Sequence, residues 1–192
     1  YTSPHIKRIN ERFVFNNEEL NDDDLGILFE EIEEANNNEP ITFFEILTAA
    51  YFYNASKYPE NINLIEAGLF HRFDATNILK TNLASIVTSI GLDHLDWLPE
   101  NERTTKKIIF EKTSTLLNSN IIIAKQNSSE IVSEIKNSIT KNSSKKYFFN
   151  EDYNYSSNKN GFIFYEDKNG GIKLPTPNVK GQFQLENIST AI

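Results

Sequence analysis

The chain has 192 residues, a net charge of −8 and no cysteine. That length supports one domain with a substantial core, or one domain plus a small appendage. The negative charge speaks against a nucleic-acid-binding surface, and the lack of cysteine removes disulfides, thiolate zinc sites and a cysteine nucleophile. Apolar residues at 39% and charged residues at 24% are ordinary for a soluble globular protein. No apolar run is long enough to span a bilayer and no signal-peptide pattern is visible, so a reducing, cytoplasmic setting is expected.

Taken in order, Tyr1-Thr2-Ser3-Pro4-His5 reads as a strand end entering a loop, since Pro4 pushes Ser3 towards extended geometry. Residues 11–15 read as a short strand closed by an Asn16-Asn17 turn. Asn21 followed by Asp22, Asp23 and Asp24 is an N-cap with acidic first-turn residues, and the helix it opens fades at Asn36-Asn37-Asn38. Thr42 and Glu45 form a capping box. The helix they start is expected to run to about residue 58, apolar on most faces and buried against a sheet. Residues 62–67 and 83–90 read as strands, 103–117 as a helix, 120–124 as a third core strand, and Ser128 as the cap of a helix reaching about residue 142.

This alternation predicts an α/β fold with a mainly parallel sheet flanked by helices. After Lys145 the texture changes. Residues 147–149, 161–165 and 171–174 read as short strands of a small antiparallel section, with a hairpin turn at Asn169-Gly170-Gly171. The Asn- and Ser-rich stretch 150–160 reads as a mobile loop. The expected organisation is a single domain, 1–192, with an α/β core over 1–144, the antiparallel section over 145–180 and the start of a further helix over 181–192. The sequence begins at Tyr1, contains no Met and ends in what reads as a shortened helix, a pattern expected of a fragment of a longer protein.

Polar side chains at predicted strand and helix ends are the candidate functional residues. Ser3, Glu66, His94 and Lys112 fall at such positions, and the strand ends of a parallel sheet converge on one rim where ligands bind. A carboxylate, an imidazole and a hydroxyl there suit a hard divalent ion that also holds phosphate oxygens. Each taken singly is ordinarily a structural residue, and Phe110-Glu111-Lys112 alone reads as one apolar contact and two solvated charges. Asp93-His94 reads equally well as a helix N-cap pair, and His5 and His71 have no partner at zinc-motif spacing. Seven glycines form neither phosphate-binding fingerprint, so a nucleotide's main cradle is expected outside this stretch.

Six ordered motifs together resemble the folylpolyglutamate synthase/dihydrofolate synthase family of the Mur ligase superfamily. They are Tyr1-Thr2-Ser3-Pro4-His5-Ile6 with Arg8-Ile9-Asn10-Glu11-Arg12; Thr42-Phe43-Phe44-Glu45-Ile46-Leu47-Thr48; the run from Glu66 to Asn77; the run from Thr88 to His94 with Trp97-Leu98; Phe110-Glu111-Lys112; and Gly181-Gln182-Phe183-Gln184-Leu185-Glu186-Asn187. The resemblance implies a P-loop-NTPase-like central domain and an ATP-dependent ligase that joins glutamate to dihydropteroate or a folate through an acyl phosphate. It implies Mg2+ held by Ser3, Glu66, His94 and Lys112, with Glu66, His94 and Lys112 catalytic and Lys112 carbamylated. It further implies Asn187 and Gln184 at the nucleotide, and Thr42, Phe44, Arg72, Asp74 and Ala75 at the pterin or folate. The implied partners are small molecules alone (ATP, the pteroate or folate, L-glutamate), with no nucleic acid, no membrane and a monomeric state. Another Mur-type ligase and a non-catalytic relative are the alternatives. Five positions in three motifs depart from the family pattern: Phe70-His71 replaces Gly-Gly, Thr113-Ser114 replaces Ala-Gly, and Phe183 replaces His. Glycines in such a loop serve special dihedrals, so a rebuilt or crowded loop is expected around Phe70.

Overall fold

The computed structural model describes residues 1–158, 161–179, 181 and 183–192. It divides into two compact units, Tyr1–Leu79 and Lys80–Ile192.

In the first unit, a 3-10 turn at Ile9–Arg12 leads into a two-stranded hairpin, β1 (Val14–Phe15) and β2 (Glu18–Glu19), followed by helices α1 (Asp22–Ala35) and α2 (Phe43–Ala55). Asn16 and Asn17 take φ of 51° and 67°, the left-handed pair that a two-residue hairpin turn requires and that Asn tolerates. The strand expected over 11–15 is shorter than the sequence suggested. The reason is Glu11, whose carboxylate accepts the N–H groups of Ile6, Lys7 and Arg8 at 2.7, 2.8 and 2.8 Å and winds the preceding chain into a turn. Asn21 caps α1 by accepting the Asp24 N–H, and the Thr42–Glu45 capping box is formed, each satisfying amides that a helix start leaves orphaned.

The apolar face of α2 (Leu47, Ala50, Tyr51, Ala55) packs with Tyr1, Phe13, Phe15, Leu25 and Leu28. Its burial within the unit is therefore against α1 and the hairpin. The only strands of this unit among the described residues are β1 and β2. Residues 62–67 likewise do not form a strand. The chain there pairs at one point only: the Tyr1 nitrogen donates to the Leu64 carbonyl at 2.8 Å and the Glu66 N–H to the Tyr1 carbonyl at 3.0 Å, the pattern of a parallel bridge. Ile62 and Leu64 are 82% and 75% exposed, so no packed layer extends the pairing.

The second unit holds a three-stranded parallel sheet in the order β3 (Ala84–Val87), β4 (Asn120–Ile123), β5 (Lys146–Phe148). Helix α3 (Thr105–Thr113) crosses from β3 to β4 and α4 (Ser129–Ser138) from β4 to β5. The two helices are joined by the Thr113–Ser138 hydroxyl contact at 2.7 Å and a Lys106–Glu134 ion pair. Parallel neighbours need such crossovers, which is why the segment after α4 joins this sheet and not the antiparallel section expected for residues 147–149. The antiparallel sheet is instead β6 (Tyr153–Asn158), β7 (Phe162–Asp167) and β8 (Gly170–Pro175), followed by α5 (Phe183–Ala191). Most of the stretch read as a mobile loop is thus a strand. It is an edge strand of this sheet, paired along its length with β7 and bridged once to Phe149 at Tyr153, a place where Asn and Ser cost little, and the Tyr153 hydroxyl anchors it to the Ile123 carbonyl at 2.9 Å. The β7–β8 turn falls at Lys168-Asn169, where Asp167 accepts the Asn169 N–H.

Phe13 is 0% exposed at the centre of the first unit's core. Phe13→Ala should lower unfolding stability by about 3–5 kcal/mol, against less than about 0.5 kcal/mol for the exposed Phe43→Ala. Denaturant titration of the two variants measures the difference, and equal losses would contradict this placement of the core.

Candidate active site

The bridge at Tyr1 places Ser3 beside Glu66. The Ser3 N–H donates to Glu66 Oε2 at 3.0 Å. This is the one hydrogen bond of the Glu66 side chain among the described residues, so its other oxygen is open at an exposed position. Two of the four expected metal-binding residues, far apart in sequence, are thereby brought together within one unit.

Beyond Glu66 the chain folds into a loop held from inside by Asp74. Its buried carboxylate accepts the N–H groups of Gly68 (3.0 Å) and Leu69 (2.7 Å) through one oxygen. Through the other it accepts the N–H (3.0 Å) and hydroxyl (2.5 Å) of Thr76. Four donors saturate the carboxylate. The Asp-x-Thr spacing is the sequence signal for part of this latch, because Asp side chains readily accept the amide two residues on. Phe70 takes φ of 56°, a left-handed conformation that glycine would adopt more readily and that a phenylalanine holds here. A Cβ on Gly68 would overlap the Phe44 ring, which also packs on Tyr1 with centroids 6.1 Å apart. Phe44 is therefore clasped between Tyr1 and the loop. The Thr42 hydroxyl is engaged with Glu45 in the capping box, Ala75 is half-buried, and the Arg72 guanidinium lies 4.1 Å from the Phe73 ring centre.

His94 and Lys112 belong to the second unit. His94 follows β3, takes φ of 53° and caps a 3-10 turn at Leu95–Trp97 without a side-chain cap bond. Its N–H and ring face Asp93, with Nε2 3.2 Å from Oδ2. Lys112 lies half-buried in the last turn of α3. Its neighbour Glu111 is only 5% exposed and pairs with Lys107 at 3.3 Å, whereas Phe110 is 44% exposed. The reading of Phe110-Glu111 as one apolar contact and one solvated charge is thus reversed by the helix's orientation. On α5, Asn187 Nδ2 donates to Gln184 Oε1 at 3.2 Å, and Asn187 is exposed. Gln182 lies outside the described residues. Within either unit, among the described residues, no group of three or more His, Asp or Glu side chains is placed to hold a metal ion. The second unit also contains a cavity of about 560 Å³ lined by Tyr147, Tyr153, Tyr165 and Asp152 among others. No helix among the described residues is long and apolar enough to cross a membrane.

A parallel sheet with helical crossovers, joined to an antiparallel sheet, makes this a mixed α/β protein whose candidate residues sit at chain turns and element ends. Comparison with known proteins narrows that class. No protein-family model matches the chain. It is 38% identical over 112 residues to the dihydrofolate synthase/folylpolyglutamate synthase of Haemophilus influenzae, a match covering 58% of this chain and 24% of that protein. All of it superimposes, with a TM-score of 0.81 and 28% identity, on 45% of the Escherichia coli FolC chain solved with DHPP and ADP. A TM-score of 0.83 at 24% identity over 45% of the Yersinia pestis bifunctional synthase, solved with AMPPNP and Mn ion, supports the same fold. The chain is thus similar to the folylpolyglutamate synthase/dihydrofolate synthase family, as its ordered motifs implied, and spans less than half the length of these relatives.

Two consequences are measurable. Asp74→Ala orphans buried amides and should destabilise the chain by at least about 2 kcal/mol. Amide exchange at Gly68 and Leu69 should accelerate with it, and unchanged exchange would contradict the latch. His71 is held below its ordinary value of 6.5 by burial, with the Asp74 carboxylate opposing that shift. Its neutral form is the favoured one. The associated stability is present above the ordinary value and is lost as pH falls through it towards the lowered folded value. His71→Gln should therefore flatten the fall in Tm between about pH 7 and 5; an unaltered slope would contradict it.

Proposed function

We infer that this chain is part of an ATP-dependent acid–amino-acid ligase that joins L-glutamate to dihydropteroate, tetrahydrofolate or both, through an acyl phosphate. The names of the relatives support the folate-ligase class, and the observation that carries the assignment to particular residues is the Ser3–Glu66 pair beside the latched loop.

The donor set fits a hard divalent ion at this pair. Glu66 is exposed with a carboxylate oxygen open, and the backbone of Ser3, a residue that carries a hydroxyl, lies against it. A bound magnesium ion would supply charge neutralisation and orientation to the phosphates of ATP. The relative solved with AMPPNP and Mn ion supports a nucleotide together with a divalent metal. His94 and, as its carbamate, Lys112 are proposed as further ligands on the strength of the family resemblance. Carbamylation turns the cationic amine into an anionic oxygen donor, which is the form a metal would accept.

On the substrate side, Phe44 offers an aromatic face whose position is set by Tyr1 and Gly68. Asp74 shapes the pterin wall by fixing the backbone of the loop that carries Ala75 and Arg72, since its oxygens are already engaged. Thr42 contributes to the same pocket from the start of α2, and Asn187 and Gln184 are proposed to meet the nucleotide from α5. A monomeric, cytoplasmic enzyme acting on small molecules is the setting this reading implies.

In the complete protein, Glu66→Ala should reduce ATP-dependent ligation of glutamate to dihydropteroate by about 100-fold or more. Its thermal midpoint should stay nearly unchanged because Glu66 is exposed. Undiminished ligation by that variant would refute the metal role, and no ligation by the wild-type protein with either folate substrate would refute the activity.

A further inference from the structure

Arg12 is 6% exposed, yet among the described residues no carboxylate forms an ion pair with it. A guanidinium withdrawn from water without a counter-ion is costly, so its retention calls for a reason other than charge pairing. Its contacts supply one. Nε donates to His5 Nδ1 at 3.1 Å. The guanidinium also lies against the Tyr1 hydroxyl, close enough to favour the ionised phenol against the burial that disfavours it. That hydroxyl meets Thr48 Oγ1 at 3.1 Å, and Thr48 Oγ1 donates to the Phe44 carbonyl at 2.8 Å. Since Thr48 spends its proton on Phe44, the Tyr1 hydroxyl donates to Thr48.

Arg12 thus bonds one end of the pentapeptide Tyr1-Thr2-Ser3-Pro4-His5 at His5 and lies against the other at Tyr1, and the middle residue donates its N–H to Glu66. A planar guanidinium has donors on separate edges in fixed geometry, which suits it to gripping two partners at once; a lysine ammonium lacks that fork. The 3-10 turn that ends at Arg12 is itself wound by Glu11, so the clamp is anchored at its base.

We propose that Arg12 is a positioning residue that clamps Tyr1 and His5 so that Ser3 is presented to Glu66. The proposal rests on the metal-binding reading of the Ser3–Glu66 pair, and adds to it the side chain that sets the pair's geometry. Arg12 does not touch substrate or metal; it acts through the segment it grips.

The test uses the complete protein with Mn2+ as the probe. Binding is followed by electron paramagnetic resonance in the presence of AMPPNP, and Ser3 amide exchange is followed separately. Arg12→Lys keeps the charge and removes the fork; Tyr1→Phe keeps Arg12 and the ring and removes one grip. Both should weaken Mn2+ binding about 10-fold, the scale for residues that orient a metal ligand, and both should accelerate Ser3 amide exchange. Leu28→Ala, a core truncation outside the clamp, serves as the stability control: it should lower Tm without either effect. Wild-type behaviour of either clamp variant overturns the proposal, as does equal weakening by Leu28→Ala. If the wild-type protein binds no Mn2+, the metal reading fails, and the Ser3 exchange rates then decide the clamp by themselves.

Discussion

The arrangement of the first unit depends on a single parallel bridge. Tyr1 pairs through its nitrogen with Leu64 and through its carbonyl with Glu66, joining two segments more than sixty residues apart in sequence. Two backbone bonds are little on their own, each contributing about 1 kcal/mol net. They persist because the Tyr1 ring is buried among Phe13, Phe44 and Tyr51 and its hydroxyl is tied to Thr48. Side-chain burial thus holds the backbone register. The register then fixes where Ser3 and Glu66 meet.

From Glu66 onward the same logic is carried by polar groups. Asp74 gathers four donors of its own loop, and the loop's closure brings Gly68 under Phe44. Phe70 sits in a left-handed conformation that costs an L-residue about 1–2 kcal/mol. That cost is borne by the surrounding contacts, including the Asp74 bonds on either side. The half-buried His71 beside Phe70 makes the loop sensitive to acid in a way that two glycines would not.

Much of this was legible in the sequence, for physical reasons that differ by element. The caps at Asn21, Thr42 and Ser128 were readable because short polar side chains before an apolar stripe have one dominant use. The parallel sheet was readable from strands separated by helical patterns. The strand expected at residues 62–67 was not formed, because an apolar run does not reveal whether another layer lies over it; here Ile62 and Leu64 are exposed. Residues 153–158 were misread as loop since composition cannot distinguish an edge strand rich in Asn and Ser from a disordered segment. At the site, Ser3 and Glu66 were singled out as strand-end polar residues; neither lies in a strand, yet the Ser3 N–H bonds the Glu66 carboxylate. The inward role of Asp74, the burial of Glu111 and the clamp at Arg12 depend on tertiary contacts that spacing does not encode.

The similarity to folate-ligase chains and the geometry at Ser3 and Glu66 support one proposed account: a buried aromatic cluster sets the register of the Tyr1 bridge, and that register would present Ser3 and Glu66 to a divalent ion. Anomalous diffraction from crystals of the complete protein grown with Mn2+ and AMPPNP tests it most directly. The account predicts an anomalous peak within coordination distance of both Ser3 Oγ and a Glu66 oxygen, about 2.0–2.2 Å away. A peak elsewhere, with Glu66 still occupied only by the Ser3 amide, would contradict it.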